Sequence, residues 1–292
     1  MNTSLHDSLA DIFGGASAPV SPATKPVPAA TAARIASVKE VLKNIPTSAP
    51  APSKIVAPAR AKFHSDVIQG SDEWAELRCG LLTASEMKLI ITPLLQIASN
   101  DKERAHVYEI AAQRITGYVE PCYISDDMLR GTQDEIDARD LYSKNYAKVR
   151  EVGFVTNDSL GFTIGYSPDG LVGKDGLIEC KSRRQKYQLQ TIIENVPEDT
   201  IPRDYLIQIQ TGLIVTGREW CDFITYCGGM EMAVIRVYPV PHVQEAIITA
   251  ATEFEARVQA VVDKYHAIKG SQARLIPTER RVVQEIMLNY GD

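Results

Sequence analysis

No apolar run in these 292 residues approaches the roughly 18 needed to cross a bilayer. A helical membrane span is therefore excluded. The amino terminus has neither the basic start nor the apolar stretch of a secretory signal, which predicts a cytoplasmic protein. Cysteine is scarce: Cys79, Cys122, Cys180, Cys221 and Cys227 are scattered, odd in number and form no Cys-x-x-Cys pair. That spacing speaks against a disulfide framework and against four-cysteine zinc or iron–sulfur sites, and predicts reduced, mostly buried thiols. Excess positive charge is missing too. Thirty-one Lys and Arg face 37 Asp and Glu, for a net charge of -6. A nucleic-acid partner is then expected only if the cations are concentrated locally. No internal repeat is present.

What the chain does have is material for one sizeable core, with 45% hydrophobic residues, preceded by a tail. Residues 16 to about 60 are rich in Ala, Pro, Ser and Thr and hold eight of the sixteen prolines. Such a segment buries too little apolar surface to order itself. The reading is a largely disordered tail over 1–62 and a folded domain over 63–292. Within the tail, residues 4–13 and Ala32 to Ile45 carry short amphipathic patterns, either docking peptides or transient helices. In the domain, periodicity predicts helices over Lys102 to Gly117, Asp204 to Val215, Val243 to Lys269 and Thr278 to Asn289. Strands are expected around Val155, Phe162 to Tyr166, Leu177 to Cys180, Trp220 to Tyr226 and Met232 to Tyr238.

The most informative stretch is Tyr166 to Ser182. It comprises two short apolar strands joined by a turn at Gly173-Lys-Asp-Gly176. Residues two apart on a strand share a face. Glu179 and Lys181 therefore project together, while Ile178 and Cys180 face away. Closing the hairpin brings Asp169 beside Glu179. Two carboxylates and an ammonium on apolar sheet suit metal-assisted phosphodiester hydrolysis. Mg²⁺ takes oxygen ligands, usually one or two carboxylates plus substrate phosphate. Asp169 and Glu179 would supply these, with the backbone carbonyl of Cys180 as a third. The cation polarises the phosphate and acidifies a water. Lys181 would orient that water or stabilise developing charge. Directly downstream, Lys181-Ser-Arg-Arg-Gln-Lys186 concentrates four cations where a DNA backbone would pass, and Arg203, Arg274, Arg280 and Arg281 add others.

Ser167-Pro-Asp-Gly-Leu171 followed by Leu177-Ile-Glu-Cys-Lys181 resembles the PD-(D/E)XK nuclease signature. The version is that of the phage lambda-type alkaline exonucleases, the YqaJ-like viral recombinase family. Three further segments are similar in the same order: Trp74 to Glu86, with Leu-Arg-x-Gly and Thr-Ala-Ser; Gly131 to Arg139; and Tyr205 to Gln210, with Gln-x-Gln. The resemblance spans residue 74 to about 216, roughly half of the chain. It implies roles for residues that local pattern leaves open. Arg78 and Ser85 would hold the 5′-phosphate of a DNA end. Locally, Thr83 and Ser85 are expected to offer hydroxyl caps to a helix over Glu86 to Ile91, whose N-terminus would suit an anion. Glu135, in a segment whose apolar positions Leu129, Ile136 and Leu141 define no clean stripe, would lie by the metal as an added ligand or water-positioning group. Gln208 would contact the reacting groups, with Gln210 second. On periodicity alone, both glutamines fall off the apolar stripe of Leu206, Ile209, Leu213 and Ile214 and are as readily surface residues. Asp158 is a weaker candidate carboxylate.

The expected fold is therefore α/β, a restriction-endonuclease-like core with a central mixed sheet flanked by helices. The resemblance implies an Mg²⁺-dependent exonuclease, with Mn²⁺ a possible substitute. It would degrade one strand of double-stranded DNA from the 5′ end to 5′-phosphomononucleotides, in a bacterial cell or phage-infected host. The 3′ single strands would pass to a single-strand annealing protein, and the enzyme would form a homotrimeric ring. Two alternatives share the core: a restriction- or repair-type endonuclease, and a non-catalytic DNA-binding scaffold.

Overall fold

The computed structural model describes residues 60–121 and 125–280, all within a single unit, Asn44–Asp292. Residues 1–59 of the expected tail, both amphipathic patterns included, Cys122, Arg281 and most of the expected final helix lie outside the described residues, whereas Ala61 and Lys62 already belong to the first strand. Thr278 to Arg280 have no regular structure.

Among the described residues, nine strands form two mixed sheets rather than one. The first runs β1 (Ala61–His64), β4 (Phe154–Asn157), β5 (Ile164–Tyr166), β2 (Leu82–Thr83), with β2 parallel to β5 and the other pairs antiparallel. The second runs β3 (Val149–Arg150), β6 (Gly170–Val172), β7 (Gly176–Ser182), β8 (Trp220–Tyr226), β9 (Ala233–Val237), with β7 and β8 its only parallel pair. A parallel pair needs a crossover, and the chain between β7 and β8 supplies one. It forms α5 (Gln185–Gln190), a π-helical turn (Thr191–Asn195) and α6 (Arg203–Thr216). Helix α6 lies against β4 and β5 of the first sheet and β8 of the second. It is accordingly buried nearly all round, from Leu206 to Thr216 except Gln208.

The remaining helices are α1 (Asp72–Arg78), α2 (Met87–Ile90), α3 (Asp101–Thr116), α4 (Asp126–Asn145) and α7 (Pro241–Lys269). Helix α3 starts at Asn100, whose side chain accepts from the Lys102 and Glu103 N–H groups, and ends at Gly117 in the left-handed region. It packs along α7, where Arg114 makes a two-pronged pair with Glu255 at 2.6 and 2.8 Å. Helix α4 lies on β7 and β8. Ala138 and Tyr142 are its buried positions among the described side chains, packed with Ile178, Cys180 and Ile224. Leu129, Ile136 and Leu141 are exposed. The inward face of α4 is thus set by small and aromatic side chains, with Glu135 one turn before Ala138. Among the described residues, no helix is long and apolar enough to cross a membrane.

The β6–β7 hairpin is tighter than its sequence suggests. Val172 pairs with Gly176, so the connection is Gly173-Lys-Asp175, with Gly173 at φ 53°, a region that costs a side chain strain. Gly170 pairs with Ile178, which places Asp169 one step further, opposite Glu179.

Candidate active site

Glu179 is 1% exposed and held by three donors from three elements. Lys181 Nζ lies 2.7 Å from Oε1, Gln208 Nε2 of α6 donates to the same oxygen at 2.5 Å, and the Tyr166 hydroxyl of β5 donates to Oε2 at 2.5 Å. The Asp169 carboxylate accepts from the Cys180 backbone N–H at 2.5 Å. In a strand, a residue's N–H and C=O leave toward the same neighbour. The Cys180 carbonyl therefore opens on the Asp169 side, where it was expected as a ligand. Arg139 of α4 fixes the other end of Asp169, donating to its backbone carbonyl at 3.2 Å.

The electrostatics of this cluster are lopsided. Burial raises the Asp169 carboxyl well above the usual carboxylate range, and the Glu179 and Glu135 charges push it further. Glu135 is raised as well, by burial first and by Glu179 and Asp134 against the opposing Lys181 and Arg139. Burial alone would weaken the Lys181 ammonium, but Glu179, Asp169 and Glu135 outweigh it and hold the proton more firmly than an ordinary lysine does. Lys181 is thus a fixed positive charge. One ammonium leaves a surplus of negative charge that a divalent cation would offset, and in that sense the residues fit one. Among the described residues, no three Asp, Glu, His or Cys side chains are already gathered as a metal cage. A cation here would take Asp169, Glu179 and the Cys180 carbonyl, and complete its shell with water and phosphate, as Mg²⁺ commonly does.

The segment carrying Arg78 and Ser85 is tied to the same loop. Trp74 of α1 donates from Nε1 to Ser167 Oγ at 2.9 Å, and Gln69 donates to the Pro168 carbonyl at 2.9 Å. The Arg78 guanidinium sits 4.4 Å from the Trp74 ring centre, and burial lowers its pKa despite nearby Glu86. The expected hydroxyl caps are not made. Instead, Glu86 reaches back to accept from the Thr83 N–H at 3.1 Å and the Thr83 hydroxyl at 2.6 Å. Helix α2 has only four residues, too few for a strong N-terminal dipole. Anion binding here would therefore rest on Arg78, 3.8 Å from Glu86, and on the hydroxyls of Thr83 and Ser85, 3.2 Å apart.

Two candidates separate from the cluster. Gln210 is fully buried, donating to the Tyr238 carbonyl at 2.8 Å and accepting from the Val240 N–H at 2.8 Å. It braces the turn into α7. Asp158 is exposed beside Arg60 at 3.7 Å. Of the downstream cations, Arg183 is engaged with Tyr205, and Arg280 stacks on Tyr118.

Tyr166 was not singled out in the sequence, although a buried tyrosine hydroxyl must find a partner and this one directly precedes Ser167-Pro-Asp. A Cβ on Gly212 of α6 would fall 2.7 Å from the Tyr166 ring, so Gly212 keeps room for it. Tyr166→Phe should lower turnover roughly 10- to 100-fold, the usual cost of removing a group that orients a ligand, while leaving the melting temperature within a few degrees. Unchanged turnover would show that Glu179 needs no such support.

Residues 73–219 match the family model of the YqaJ-like viral recombinase domain, a segment that brackets every member of the cluster. The chain belongs to this family. An alkaline exonuclease from Laribacter hongkongensis, LHK-Exo, superposes with a TM-score of 0.59 at 30% identity, covering 69% of this chain and 100% of that one. Its complex with dAMP gives 0.60 at the same identity and coverage. None of the curated proteins matches. The kinship with lambda-type alkaline exonucleases and the restriction-endonuclease-like core expected from the sequence both hold.

Proposed function

We propose that this family member is a divalent-cation-dependent exonuclease that removes 5′-phosphomononucleotides from double-stranded DNA ends, starting at the 5′ terminus. The observation that carries the reading is the convergence of Asp169, Glu179 and Lys181, with Gln208 and Tyr166 bracing Glu179, inside the segment matched by the recombinase family. A bound Mg²⁺ would polarise the scissile phosphate and lower the pKa of its water. The chain's own residues do the rest. Tyr166 and Gln208 keep Glu179 in one orientation. The Cys180 N–H and Arg139 fix Asp169 from both sides. Lys181, firmly protonated, faces the negative charge that develops on phosphate oxygens. Glu135 stands by to position water. The same kinship supports a ring of three subunits and delivery of 3′ single strands to an annealing protein in phage-type recombination.

Linear and closed circular forms of one plasmid separate this reading from an endonuclease. The linear form should disappear into mononucleotides while the circle persists. Linearisation of the circle would favour the endonuclease, and metal-independent inertness toward both would favour a scaffold.

End recognition follows from Arg78 and Ser85. Dephosphorylated ends should be degraded roughly 10-fold or more slowly than phosphorylated ones, the scale of one lost charge-assisted contact. Arg78→Ala should erase that difference. Equal rates of wild-type digestion on the two kinds of end would remove Arg78 and Ser85 from this role.

A further inference from the structure

The catalytic strand runs into a segment with its own chemistry. Beyond β7, helix α5 and the π-helical turn leave Tyr187 43% exposed. The Arg183 guanidinium lies 5.3 Å and the Lys186 ammonium 4.6 Å from the Tyr187 ring centre. Arg183 also donates to the Tyr205 hydroxyl at 2.6 Å and lies 5.4 Å from that ring's centre. Lys181 of the carboxylate cluster sits 5.9 Å from the same ring. Cations and rings thus alternate outward from the cluster: Lys181, Tyr205, Arg183, Tyr187, Lys186. Alongside opens a cleft of about 670 Å³ lined, among the described residues, by Arg130, Arg183, Arg184, Lys186 and Asp134.

Rings interleaved with cations suit an unpaired nucleic-acid strand. Base faces stack on the rings whatever the sequence, and the cations take the phosphates. A duplex keeps its base faces stacked internally and cannot use the rings. An apolar protein partner could use the Tyr187 ring but offers nothing to the Arg183 and Lys186 charges beside it, so the row favours a polyanion. We infer that the Tyr205–Arg183–Tyr187–Lys186 row is a track for single-stranded DNA, carrying the unpaired strand that adjoins the carboxylate cluster. The origin of that strand rests on the nuclease reading; the binding itself does not.

The test uses the full chain in EDTA, where no hydrolysis is required, and a fluorescent oligothymidylate of about twelve nucleotides, within the usual site size for such surfaces. Anisotropy should show Tyr187→Ala binding roughly 5- to 150-fold more weakly than wild type, as expected for one lost stacking contact. Tyr187→Phe, which keeps the ring, should bind like wild type. Lys186→Ala should flatten the slope of log affinity against log salt by about 0.7, one phosphate contact on a single strand. Tyr187 is exposed, so these variants should fold. Wild-type chain that does not bind the oligomer, Tyr187→Ala within twofold of wild type, or an equal loss on a blunt duplex of the same length would each overturn the inference. An enzyme that binds the oligomer normally yet cuts nothing with Mg²⁺ would instead fault the nuclease reading alone.

Discussion

Glu179→Ala should reduce hydrolysis of linear duplex by about 10³-fold or more, since it removes a ligand on which several kcal/mol of charge stabilisation depends. Asp169→Ala should do the same. Neither loss should come from unfolding, and Asp169→Asn makes the point with a shape-conserving change. The Asp169 carboxyl is raised by burial and by the Glu179 and Glu135 charges. A group whose proton affinity is raised by folding contributes stability below the unfolded carboxylate range and loses it as pH climbs through the folded value. Without a divalent cation, the charged cluster therefore weighs against the fold in alkaline solution, and an amide at 169 removes that burden. Asp169→Asn in EDTA should melt a few degrees higher than wild type, at roughly 2–4 °C per kcal/mol relieved, with a larger difference near pH ~8 than near pH ~5. Its hydrolytic activity should be lost all the same. A folded Glu179→Ala chain with near-normal turnover would sink the mechanism.

Lys181→Met should lower turnover by roughly 10²–10³-fold, the cost of losing one preorganised donor to developing charge. Its effect should differ in kind from that of the carboxylate changes. The variant removes the ammonium 2.7 Å from Glu179 but leaves both carboxylates, so Mg²⁺ affinity measured by calorimetry should hold or rise. In Glu179→Ala, Mg²⁺ affinity should fall steeply. Loss of Mg²⁺ binding in Lys181→Met would mean that the ammonium organises the site rather than serving the reaction.

Much of this site was legible because strand geometry is so regular. A period of two puts Glu179 and Lys181 on one face, and hairpin closure brings Asp169 opposite, with only the turn length off by one residue. Glu135 was legible through family resemblance alone. Its helix buries Ala138 and Tyr142 while exposing Leu129, Ile136 and Leu141, so an apolar count points at the wrong face. The two glutamines of α6 looked alike because periodicity assumes a helix with one buried side. Helix α6 lies against strands of both sheets, and Gln210 is buried against a turn that no local pattern shows. Tyr166 was hidden among apolar strand residues, its partner 13 positions away and on the other sheet. The division into two sheets was likewise invisible, because β1 finds its partner β4 some 90 residues on. Pairings of that range depend on the assembled core.

The central claim meets its most direct test in a linear duplex labelled at the 5′ end of one strand and at the 3′ end of the same strand with a second label, incubated with Mg²⁺. The 5′ label should be released immediately as a mononucleotide and the 3′ label late, with neither released in EDTA. Early release of the 3′ label, or hydrolysis that continues in EDTA, would contradict that claim.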